Sequence, residues 1–152
     1  MENDKSIDAL NKLIEINNDR IEGYTTASKE TDEGDLKSLF DQLAETSEEC
    51  RADLIEEVVS LGGEPVQGTK ISGKFFRAWM DVKAAITGKD RKAIFSSCEF
   101  GEDVAVNTYK KVLENESGEL SPAQLAMVFE QYELIRADHD TVRALRDSLV
   151  EH

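Results

Sequence analysis

From Ile7 to Leu149 the apolar residues of this chain recur at intervals of three and four, in four long runs separated by short acidic, glycine or proline breaks. That period gathers them on one face of a helix, and each such stripe must be buried against another helix. The pattern constrains the chain to an all-α bundle. Ile7, Leu10, Ile14, Ile21 and Tyr24, opened by Ser6 as N-cap, predict a helix over about 6–28. Leu36, Leu39/Phe40, Leu43, Ser47, Cys50, Leu54, Val58 and Leu61 predict a second over about 35–61, stopped by LGGEP.

Between residues 66 and 90 the pattern changes. Gly68, Gly73 and Gly88 bracket a shorter amphipathic segment with Phe75, Phe76, Trp79, Met80 and Ile86, which predicts a helix over about 74–86 with Trp79 as a packing residue. Ile94, Cys98, Glu102, Ala105, Tyr109 and Val112 then predict a helix over about 90–115. SPAQ supplies Ser121 as N-cap and Pro122 at the first helical position. The last helix, about 121–149, turns Leu125, Val128, Tyr132, Ile135, His139, Val142 and Leu149 inward.

Short connections make the first and last pairs of long helices antiparallel hairpins, while the long middle connection spans the bundle and carries the short helix. This is a four-helix bundle with one long crossover, the ferritin-like arrangement, in a single domain over residues 1–152. The stretches LNKLIEINNDRIEGYTTA, EEVVSLGGEP, RAWMDVKAAITGKD, SCEFGEDVAVNTYKKVL and DHDTVRALRD together resemble the bacterial ferritin-like four-helix-bundle family of unknown function, some members of which stand beside stress-response proteins. The resemblance implies the ferritin-like fold and a stress setting. It implies no settled activity.

The net charge of -14 opposes binding to nucleic acid or anionic lipid over most of the surface. No segment offers the ~18 uninterrupted apolar residues of a membrane span, and the start MENDKSIDAL lacks the marks of a secretion signal, so a cytoplasmic protein is expected. Cys50 and Cys98 are too few for a disulfide framework and suit small buried positions. Phe100 and Val104 lie off the main stripe and call for a cover, either the short helix or a second chain, which favours a dimer.

Active ferritin-like carboxylate proteins hold two metals with one Glu from each of two helices and a Glu-x-x-His pair from each of the other two. Here the register around His139 puts Arg136 where the bridging glutamate belongs, and an arginine opposes a metal. Glu45, Glu48 and Glu49 point outward, Glu22 sits at an edge, and Glu102 is the one well-placed carboxylate. Folding the hairpins predicts a polar layer of Asn17, Ser47, Cys50, Cys98, Glu102 and His139, with Arg136 at its margin.

Three readings follow. The first is a hydrogen-bonded structural layer that needs no cofactor, in a non-enzymatic bundle acting through self-association or a protein partner. The second is a single zinc held by Glu102 and His139, with Cys98 or Cys50 and more weakly Glu22 in support. The third is a two-metal iron or manganese oxidase turning over ferrous iron with oxygen or peroxide.

Overall fold

The computed structural model describes residues 2–68 and 73–150, which form five α-helices, one 3-10 turn and no strand. The helices are α1 (Glu2–Glu30), α2 (Gly34–Ser60), α3 (Gly73–Thr87), α4 (Arg91–Asn115) and α5 (Pro122–Val150), with the 3-10 turn at Ser117–Glu119. Helix α1 begins before Ser6, which is no cap. Its buried hydroxyl instead donates to the Glu119 carbonyl and ties α1 to the end of the α4–α5 connection.

Local chemistry ends and starts the helices where the chain must turn. Gly62, at φ +83, lets the N–H groups of Gly62 and Gly63 return to the carbonyls of Val59 and Val58, which closes α2. Asp90 accepts from Ala93 N at 3.1 Å to open α4. Ser121 and Gln124 cap α5 reciprocally, at 3.1 and 2.9 Å. Arg91, at the first turn of α4, grips Glu33 and Asp35 beside the α1–α2 turn at 2.8 to 3.2 Å.

The segment after α2 does not hang free. Asn3, Asn11 and Asn18, spaced about two helical turns apart on α1, donate to the carbonyls of Leu61, Glu64 and Gly68 at 3.1 to 3.3 Å. Asn11 also accepts from Val66 N at 3.0 Å, so its one amide serves both polar faces of the passing backbone. These asparagines line the strap along α1 as far as Gly68.

The interior is two apolar clusters rather than one. One gathers Leu10, Leu13 and Ile14 of α1 with Leu54 and Val58 of α2, Ala105 and Val112 of α4, and Val128 and Ile135 of α5. The other gathers Tyr24, Leu36, Phe40, Leu43, Ile94, Phe95, Cys98 and Val142, and it includes Val82, Ala85 and Ile86 of α3. On every long helix a polar residue stands between the two clusters.

Helix α3 docks on α1 and α4 through Trp79. The indole stands edge-on to the Tyr24 ring, 4.7 Å between centroids, and a Cβ added at Gly23 would fall inside it. Gly101 of α4 makes room on the other side, where the Ala78 Cβ and the indole would meet an added Cβ at 3.7 and 3.9 Å. Trp79 is thus a packing residue, while Met80 is half exposed and the side chains of Phe75 and Phe76 lie outside the described part. Because the rigid indole cannot yield, Gly23→Ala should cost about 1–3 kcal/mol by overpacking, read as a lower midpoint in urea. Gly34→Ala, in a first helical turn with nothing within 4 Å, should leave the midpoint unchanged or raise it.

Candidate functional site: a buried arginine and two polar rings

Between the two apolar clusters lies a guanidinium. Arg20 is fully buried, although it is a charged residue of α1. Its Nε donates to Glu102 Oε2 at 2.9 Å and its Nη2 to Glu102 Oε1 at 2.7 Å, the two-pronged geometry that matches a planar fork to a carboxylate. Nη1 donates to Ser47 Oγ, and Nη2 also reaches Asp138 Oδ2 at 3.1 Å. Its Cζ lies 5.5 Å from the centre of the Tyr24 ring. One side chain from α1 is therefore bonded to α2, α4 and α5 at once.

One turn away a second set crosses the bundle. Asn17 Nδ2 donates to Tyr109 Oη at 2.8 Å, that hydroxyl donates to Gln131 Oε1 at 2.8 Å, and Gln131 Nε2 donates to the Cys50 carbonyl at 3.2 Å. Again α1, α4, α5 and α2 each supply one group. Asn17 also donates to Leu13 O at 2.8 Å, which holds the amide in place.

Helix geometry explains why these residues meet. On α1, Leu10, Leu13, Asn17, Arg20, Tyr24 and Ala27 follow the three-and-four spacing and are all buried. Ile21, expected in the core, stands one residue off that line and is only partly covered. On α5 the stripe of Val128, Ile135 and Val142 has two flanks. Gln131 and Asp138 lie on the flank that faces the centre, whereas Tyr132 and His139 lie on the other.

The expected layer is therefore placed as follows. Asn17, Ser47, Cys50, Cys98 and Glu102 are buried in or beside the two sets. His139 is not inward: its Nε2 lies 2.6 Å from Asp103 Oδ1 and its Nδ1 3.2 Å from Asp140 Oδ1, on the outer edge of the α4–α5 hairpin. Glu102, whose carboxylate is taken up by Arg20, has no part in that contact. Arg136 is exposed and so is Glu22, so neither reaches the layer. Arg20, Asp138 and Gln131 are the residues that sequence reasoning missed, and Tyr109, expected on the buried stripe, joins the polar sets as well.

Burial sets the charge states. It would pull the Arg20 guanidinium down, but the Glu102 charge, Tyr24 and Asp138 overcome it and hold the group above its ordinary value. Burial raises the Tyr24 and Tyr109 hydroxyls and the Cys98 thiol, with Glu102 adding to the first and last, and lifts the Cys50 thiol to about 11. Neither thiol is a ready nucleophile at neutral pH. Among the described residues, no group of three or more His, Cys, Asp or Glu side chains could hold a metal ion. The centre is a place where carboxylates meet a cation, and the cation is the chain's own.

Residues 5–115 match the model of a family described as a domain of unknown function, DUF2383, over well more than half of the chain. The chain belongs to this family. Within the DUF2383 span lie Asn17, Arg20, Ser47, Cys50, Glu102 and Tyr109, while Gln131 and Asp138 of α5 lie beyond it. No curated protein matches the chain. Among the described residues no helix is long and apolar enough to cross a membrane.

Truncating one partner of a buried pair strands the other charge, so Arg20→Ala should lower stability by about 3–5 kcal/mol in denaturant titration. Arg20→Met combined with Glu102→Leu, which removes both charges, should lose less than Arg20→Ala alone, and additive losses would contradict the coupling. Asp138 behaves differently. Burial, opposed by Arg20 and reinforced by Glu102, raises its carboxyl above the ordinary range. The folded protein thus binds that proton more tightly than the unfolded chain, and the stability so gained is present in acid and lost as pH rises through the folded value. Asp138→Asn, which keeps an acceptor for Arg20, should be at least as heat-stable as the parent at neutral pH, the two curves converging as pH falls below the carboxylate range.

Proposed function

We propose that this chain is a ferritin-like bundle whose centre is filled by an internal cation instead of a metal centre, and that it works as a non-enzymatic structural or interaction protein. The observation that carries the reading is the fully buried Arg20 on both oxygens of Glu102, the one carboxylate that sequence spacing directs to the bundle axis. A guanidinium there repels any divalent ion and occupies the ligands such an ion would need.

The ferritin-like topology is supported by the levels at which side chains meet. Arg51 bonds Asn18 and Lys12 bonds Glu116, so α2 and α4 both run opposite to α1. Gln124 bonds Glu57 and His139 meets Asp103, so α5 runs opposite to both. The strap with α3 then serves as the long crossover. Self-association is the form of interaction we favour, since Val59, Phe100, Phe129 and Leu134 remain about half exposed. A cytoplasmic, stress-linked setting fits the free, buried cysteines and the family resemblance.

Elemental analysis of protein purified without added metal, with an aerobic ferrous oxidation assay on the same sample, tests the reading. It expects no stoichiometric iron, manganese or zinc and no turnover above buffer. One or two metals per chain that disappear in Glu102→Ala, or iron oxidation lost with that change, would overturn it in favour of the metal-binding alternatives.

A further inference from the structure

We propose that the middle of the bundle is a binding site for a planar guanidinium cation, of which Arg20 is the tethered ligand. This rests on the reading that the central cation is the chain's own, and goes beyond it by assigning the surrounding groups a recognition chemistry independent of the tether. The receptor comes from three other helices. Glu102 of α4 offers both oxygens to Nε and Nη2, Asp138 of α5 offers one to Nη2, and Ser47 of α2 receives Nη1. All three nitrogens find an oxygen acceptor, and the Tyr24 ring adds a cation-π contact from 5.5 Å.

The acceptors stand on helices other than the one that carries Arg20. Glu102 projects from the middle of α4, one residue after Gly101, and Ser47 from the middle of α2 between the buried residues Leu43, Ala44 and Cys50. The Tyr24 ring is held by Phe40 and Trp79. Its hydroxyl is fully buried beside the Glu102 carboxylate. An ammonium or a spherical ion presents no planar fork and meets fewer of these acceptors.

Arg20→Ala removes the ligand and leaves its acceptors. Titrating this variant with propylguanidinium at non-denaturing concentrations should give saturable binding by calorimetry and raise its melting temperature by roughly 5 to 10 °C near a hundredfold excess over Kd. The parent should show no such rise, and adding Glu102→Gln to the variant should abolish it. Propylammonium and manganese should not substitute. If Arg20→Ala does not fold alone, recovery of its helical circular dichroism by propylguanidinium becomes the readout. Absence of saturable rescue, or equal rescue by propylammonium or manganese, overturns the proposal. Metal content of the parent protein is a separate measurement, so either idea can fail without the other.

Discussion

The fold turns on one buried ion pair. Removing a guanidinium and a carboxylate from water costs several kcal/mol each, and only close, saturated contacts offset that loss. Arg20 and Glu102 meet the condition with two short bonds, while Ser47 and Asp138 take up the donors that remain. The satisfaction is distributed over four helices, so none can slide by a turn without leaving a buried charge or donor unmet. The apolar clusters above and below supply most of the favourable burial, but apolar stripes tolerate sliding. The polar middle fixes the register.

The second set of bonds has a different character. Asn17, Tyr109, Gln131 and the Cys50 carbonyl are neutral, and each donor in the series serves the next acceptor. Such a relay fixes the direction in which each amide and hydroxyl points as well as the spacing of the helices. Together with the asparagines that hold the strap on α1, it shows the chain using side-chain amides wherever backbone or helices must be aligned without charge.

Much of this was legible in the residues, and the rest was hidden for a definable reason. The three-and-four spacing gave the helices to within a few residues, because a stripe of Leu, Ile and Val has no other way to be buried. It also brought Asn17, Ser47 and Glu102 to the axis, since they stand at stripe positions between apolar neighbours. Arg20 stands at such a position too, three after Asn17 and four before Tyr24, but hydropathy assigns an arginine to solvent and Ile21 beside it took its place. On α5, Tyr132 is apolar enough to draw the eye to the flank that ends in His139, while Gln131 and Asp138 look like surface residues. A buried polar residue can be recognised only through partners on other helices, and one-dimensional spacing does not contain them.

That choice of flank has a wider meaning. Four helices with the same neighbours can be threaded in a left-turning or a right-turning order, and apolar stripes distinguish poorly between mirror arrangements. The two sides of the α5 stripe are not alike, however: acid and amide on one, ring and imidazole on the other. In the observed order Asp138 looks across the axis at Arg20 while His139 looks sideways at Asp103. The opposite order would turn His139 toward the guanidinium in place of a carboxylate, and leave Asp138 against the carboxylates of α4. Which of two adjacent residues on the last helix bears the acid thus favours one threading order over its mirror.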